Sequence, residues 1–160
     1  MTLQFQHRVE AGQQLAKRLA KYGNRPDVIV LALPRGGVVV GYEVAHALNA
    51  SFDLLASVKP ADIEGRTVIL VDDGIATGST MRNAIEASRQ LNAARIIVAT
   101  PTAALSAIRE LRREVDEIVS VMISADFVGV SHCYEDYAEV TDDEVQEILE
   151  RAGQFEHAGV

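Results

Sequence analysis

Two stretches of this chain, Val28–Leu33 and Val68–Val71, are apolar at every position. A strand with one face in water alternates apolar and polar residues, whereas a strand without polar positions must be covered on both faces. That requirement rules out an open hairpin sheet and calls for helices on either side. The helical spacing is present. Val9–Lys21 places Val9, Leu15, Ala16 and Leu19 on one side, with Arg8, Lys17, Arg18 and Lys21 mostly outward. Helices are expected over Val9–Lys21, Val38–Leu48, Thr80–Leu91, Ala103–Arg113 and Thr141–Arg151. Strands are expected over Val28–Leu33, Phe52–Val58, Thr67–Val71, Arg95–Ala99 and Glu117–Met122. Tyr22–Pro26 stops the first helix. Thr141 with Glu144 forms a capping box for the last, and Gly153–Val160 reads as frayed. Strands separated by helices pair in parallel. The expected fold class is therefore α/β, a mostly parallel central sheet flanked by helices, Rossmann-like, with no internal repeat or linker.

Residues 1–160 suit one domain, and with 48% hydrophobic residues the core is ample. A formal charge of −8 argues against nucleic acid as a partner. Cys133 is the one cysteine, which excludes an internal disulfide and a cysteine metal site. His7, His46, His132 and His157 show no metal-ligand spacing. The first residues lack an apolar signal core, and no apolar run is long enough to span a bilayer. A cytoplasmic protein with no membrane partner is expected.

The chemistry is concentrated after Val71. Asp72 and Asp73 come first, then Gly74-Ile75, then the small-residue loop Ala76-Thr77-Gly78-Ser79-Thr80, where a helix begins. In α/β sheets, ligands sit at the carboxyl ends of strands. A glycine loop opening a helix turns free amide N–H groups toward an anion, and the hydroxyls of Thr77, Ser79 and Thr80 add donors. The two carboxylates accept rather than donate, so they suit sugar hydroxyls or a Mg²⁺ ion offsetting a pyrophosphate. A P-loop would need a lysine here, and a dinucleotide fingerprint would need Gly-x-Gly-x-x-Gly; neither is present.

Val68–Thr80 resembles the motif with which type I phosphoribosyltransferases bind phosphoribosyl pyrophosphate (PRPP). The resemblance implies that Asp72 and Asp73 hold the ribose 2′ and 3′ hydroxyls and Mg²⁺, directly or through water. It also implies that Ala76, Thr77, Gly78, Ser79 and Thr80 cradle the 5′-phosphate. Leu33-Pro34-Arg35-Gly36-Gly37 looks like the family's pyrophosphate loop: Gly36 and Gly37 admit close backbone approach, and Arg35 supplies a cation. Lys59 stands where relatives place a basic residue near the pyrophosphate, the alternative being a solvated lysine before Pro60. Phe127 and Val128 resemble the Phe-Val that contacts the base in purine-salvage members, the alternative being ordinary packing. Asp136 is a weaker candidate for the base side. The Tyr134–Tyr137 segment resembles a bacterial subgroup of uncharacterised phosphoribosyltransferases and is expected to pack the last helix. Cys133 is expected to fill space.

The family reaction displaces pyrophosphate from C1 of PRPP with a nitrogen nucleophile, usually a base, in nucleotide salvage; members are commonly homodimers. Asp72, Asp73 and Arg35 would serve it by positioning and charge. The chain departs from the family at Lys59–Arg66, where relatives carry a long flexible lid and often a base-binding hood. Such a short connection is hardly a lid. Three readings follow: a transferase whose lid comes from elsewhere, a PRPP or nucleotide sensor without turnover, or a core with a remnant site.

Overall fold

The computed structural model describes residues 4–158, with side chains over 4–153. In chain order the main elements are α1 (Arg8–Arg18), β1 (Val28–Ala32), α2 (Gly36–Leu48), β2 (Ser51–Leu54), β3 (Thr67–Val71), α3 (Ser79–Gln90), β4 (Arg95–Ala104), α4 (Leu105–Leu111), β5 (Glu117–Ser124) and α5 (Asp142–Ala158). The five strands form one sheet in the order β2-β1-β3-β4-β5, with every pair parallel. This is the α/β architecture expected, a parallel sheet covered by helices.

The apolar runs divide between two cores. Val30, Ala32, Ile69, Val71 and Ile97 face α1, α2 and α5, meeting Leu15, Leu19, Val44, Leu48 and Ile148. Their neighbours Ile29, Leu31, Val68, Leu70 and Val98 face α3 and α4, meeting Met81, Ile85, Ile108 and Leu111. Successive strand side chains point to opposite faces, so the absence of polar positions is the signature of these two layers.

The chain runs from β1 outward to β2, then crosses back to β3 on the other side of β1. That reversal is a topological switch point, where loops leaving adjacent strands diverge and open a crevice. Ala32 pairs with Val71, so the loops after β1 and β3 leave at the same level. Pro34–Gly37 and Asp72–Thr80 are thereby set side by side.

Several boundaries differ from expectation. β2 stops at Leu54 because it is a half-buried edge strand, and Leu55–Ser57 turns away, with Val58 N–H donating to Leu54 O at 3.0 Å. β4 runs through Ala104, so α4 starts at Leu105 rather than Ala103. Pro101, within β4, lacks an N–H to donate to the ladder. Pairing with β5 nonetheless resumes beyond it, at Thr102↔Met122 and Ala103↔Ile123. α5 continues to Ala158 where fraying was expected from Gly153; residues 159–160 lie outside the described residues. The capping box is present: Glu144 N–H donates to Thr141 Oγ1 at 3.1 Å.

The connection between β2 and β3 is short and pinned. It makes a 3₁₀ turn over Pro60–Asp62 and buries Ile63 completely. Gly65 N–H donates to Asn92 O at 2.9 Å, and Arg66 Nη2 to Pro26 O at 2.7 Å. Among the described residues, no helix is long and apolar enough to cross a membrane.

Candidate functional site

β3 delivers the two acids to the switch point in different environments. Asp73 is buried, and its Oδ2 accepts from Arg8 Nε at 3.0 Å and from the Tyr137 hydroxyl at 2.9 Å. Its backbone carbonyl accepts from the Tyr134 hydroxyl at 2.6 Å. Asp72 is half-buried, and its Oδ1 accepts the backbone N–H of Asp73 at 2.8 Å. Burial, followed by the charge of Asp73, pushes the Asp72 carboxyl up to about 8. The negative charge on Asp72 is thus costly until a cation or hydroxyl donors arrive.

The loop after β1 closes on these acids. Its Pro34–Arg35 peptide bond is cis. A Cβ on Gly36 would lie 2.1 Å from Asp73 Oδ2, and one on Gly37 would lie 2.9 Å from Val71 O. Only glycines let this backbone approach so closely. Arg35 itself is partly exposed and pairs with Glu139 at 2.9 Å and Asp142 at 3.6 Å. Between loop and acids lies an open cleft of about 510 Å³, lined by Arg8, Pro34, Arg35, Gly36, Asp72, Asp73 and Tyr137, and flanked by Glu139 and Val140.

On the other side of Asp72 is a smaller cup of about 190 Å³, formed by Asp72, Gly74–Met81 and Val130. Gly78 sits at the α3 N-cap with φ +85°, a backbone shape that glycine adopts freely. The first N–H groups of α3 have no partner within the helix, and Thr77 Oγ1 braces the turn by accepting Ser79 N–H at 3.3 Å. The structure thus brings Ala76, Thr77, Gly78, Ser79 and Thr80 together around one anion-sized hollow. Gly74 packs against Val130, where a Cβ would lie 2.5 Å from Val130 Cγ1.

Phe127 and Val128 lie on the wall of a third hollow of about 410 Å³, beside the end of β5, with Thr102, Ser124, Asp126 and His132 also on its wall. Val128 is 78% exposed, while Phe127 packs partly against the core on the α3 and α4 side. Lys59 is exposed at the edge-strand side and lines none of these three hollows. Asp136 borders a different hollow with His7 and Val39, and its Oδ1 accepts from Ala138 N–H at 3.1 Å. Cys133 does more than fill space, because its sulfur lies 3.1 Å from Thr102 Oγ1.

Arg8, Tyr134 and Tyr137 have no counterpart in the sequence reading as site residues. The two tyrosines were expected to pack the last helix; instead their hydroxyls hold Asp73. Tyr134 and Tyr137 pack ring to ring at 5.3 Å, and Arg8 stacks over Tyr137 at 4.1 Å. Burial and the charge of Asp73 push the Tyr137 hydroxyl up to about 12, so it stays a donor at neutral pH. No local motif marks Arg8, which reads as an outward helix residue.

The acids offer hard oxygen donors of the kind Mg²⁺ takes, one or two carboxylates completed by ligand phosphates. Among the described residues no cluster of three or more His, Cys, Asp or Glu is built to hold a metal without a ligand. Asp72 and Asp73 fit the carboxylate part of such a donor set.

The phosphoribosyl transferase domain family matches residues 54–137. A Mycobacterium tuberculosis protein provisionally named a phosphoribosyl transferase is 28% identical over 216 residues, covering 97% of this chain and 48% of that protein. The chain thus spans about half the length of that curated relative, and the relative carries residues inside the match that this chain lacks. The ribose-phosphate pyrophosphokinase of Methanopyrus kandleri is 34% identical over 109 residues, covering 61% of this chain and 38% of that protein. The crystal structure of the Thermus thermophilus protein TT1426 superposes with a TM-score of 0.82 at 29% identity, covering 92% of this chain and 98% of that one. By the residues matched and by its fold, this chain belongs to the phosphoribosyl transferase family.

Proposed function

We propose that the protein binds PRPP with Mg²⁺ and transfers its phosphoribosyl group to a nitrogenous base, a purine by the resemblance of Phe127-Val128, releasing pyrophosphate. The observation that carries this reading is the place of Asp72, which lines both the phosphate-sized cup and the larger cleft. A ligand with phosphate at one end, a diol in the middle and pyrophosphate at the other suits that order. The 5′-phosphate would take the Ala76–Thr80 cup. The ribose hydroxyls would meet Asp72 and Asp73 Oδ1. The pyrophosphate would lie along Arg35, Gly36 and Gly37. Mg²⁺, held by Asp72 and Asp73, would offset the pyrophosphate charge.

In the reaction, the C1–oxygen bond to pyrophosphate breaks, with the electron pair leaving on pyrophosphate. A ring nitrogen of the base forms the new bond to C1 and its proton passes to water. The carboxylates beside the ribose would favour positive charge developing at C1. Arg35 reaches pyrophosphate by leaving Glu139, and an exposed ion pair of this kind costs little to exchange. The family resemblance also supports a homodimer, a cytoplasmic location and a role in nucleotide salvage.

A second reading, binding without turnover, is favoured by the pinned connection at Lys59–Arg66, which supplies no closing lid. Pyrophosphate release from Mg·PRPP, measured without a base and with each common nucleobase in turn, separates the two. Release that depends on one base supports transfer. PRPP binding without release for any base supports the sensor. Neither binding nor release leaves a remnant core.

A further inference from the structure

We infer that Arg8 is a positioning residue of the site, acting through Asp73 to lock the acid pair to the Pro34–Gly37 loop. The inference rests on the PRPP reading above for its ligand, but its geometry stands independently. Three segments distant in sequence converge on Asp73. α1 contributes Arg8, whose Nε donates to Asp73 Oδ2 at 3.0 Å and whose Nη1 donates to Ala138 O at 2.6 Å. The segment after β5 contributes Tyr137, which donates to the same Oδ2, and Tyr134, which donates to the Asp73 carbonyl. The loop after β1 contributes Gly36, where an added Cβ would lie 2.1 Å from Asp73 Oδ2 and 2.9 Å from Arg8 Nε.

The pair is enclosed, with both side chains about 10% exposed. It is not one of the solvated surface pairs seen elsewhere on the chain, such as Arg89–Glu86. A planar guanidinium is needed here. It donates in two directions while its face lies 4.1 Å from the Tyr137 ring centre, which an ammonium cannot reproduce. Because Oδ2 is held by Arg8 and Tyr137, Asp73 has one orientation, and its Oδ1 is the oxygen left for a ligand. The same contact fixes the wall of the pyrophosphate cleft, since Gly36 rests on both partners. The cup at Ala76–Thr80 is built from the α3 end and does not include Arg8.

This division gives a discriminating test. Mg·PRPP and inorganic phosphate are titrated calorimetrically into the full chain, into Arg8→Lys and Arg8→Met, and into Tyr137→Phe. The last keeps the ring under Arg8 and survives even if the Arg8 variants do not fold. The inference expects Arg8→Met to lose on the order of a hundredfold in Mg·PRPP affinity and Tyr137→Phe roughly tenfold, the range of charge-assisted hydrogen bonds. Arg8→Lys should recover only part of the loss. Inorganic phosphate, held by the cup alone, should change by less than about threefold in all of them. Equal losses for both ligands would reduce Arg8 to a general structural role and overturn the inference, as would unchanged Mg·PRPP affinity in folded Arg8→Met or Tyr137→Phe. Failure of the unmodified chain to bind Mg·PRPP would overturn the function proposed above and this inference with it.

Discussion

Gly36 lies so close to Asp73 that a Cβ on the glycine would sit 2.1 Å from the carboxylate oxygen Oδ2. The loop from β1 and the acids from β3 are therefore one packed unit. Gly36→Ala must displace either the loop or the Arg8–Asp73 pair. Overpacking of this kind costs about 1–3 kcal/mol, and chemical unfolding of the variant should show a loss in that range. Mg·PRPP binding should fall with it.

Gly153 supplies the contrast. It lies within α5, has no positive φ, and an added Cβ would meet nothing within 4 Å. Gly153→Ala should stabilise the protein by up to about 1 kcal/mol through helix propensity alone, read as a higher urea midpoint with binding unchanged.

Asp72 opposes folding in the absence of a ligand. Its carboxyl is raised by burial and by Asp73. A group raised in the folded state contributes stability that is fully present below its unfolded value, about 4, and lost as pH rises through the folded value. The ligand-free protein should therefore lose stability from this group between about pH 4 and pH 8. Asn at this position can still accept the Asp73 N–H. Asp72→Asn should then gain about 1 kcal/mol near pH 8, roughly 3 °C in Tm, and the gain should vanish at pH 4. Thermal melts of both proteins across that range check the sign.

Ile63 anchors the short β2–β3 connection and has no exposed surface. Ile63→Ala should cost about 2–5 kcal/mol and make Lys59–Arg66 accessible to limited proteolysis, whereas the unmodified connection should resist cleavage.

How much of this was legible in the sequence follows from the range of each interaction. Val28–Ala32 and Thr67–Val71 were readable because burial on two faces leaves no polar position. Asp72–Thr80 was readable because an anion loop is contiguous in the chain. Arg8 was not, since its partner Asp73 lies 65 residues away and its own helix gives it an ordinary outward position. Tyr137, 64 residues from Asp73, was hidden in the same way. The far half of β4 was not legible, because Pro101 donates no N–H and only the register with β5 shows pairing on both sides of it. The edge strand β2 was overextended because Leu55 and Val58 are apolar for a different reason: they pack back on the core from a turn.

The role of Asp72 and Asp73 in PRPP binding is decided by calorimetric titration of Mg·PRPP into the protein and into the double variant Asp72→Asn, Asp73→Asn. Binding to the unmodified protein is expected to depend on Mg²⁺, and to be lost in a variant that circular dichroism shows to be folded. Absence of binding to the folded unmodified protein, or the same affinity in both, would contradict that role.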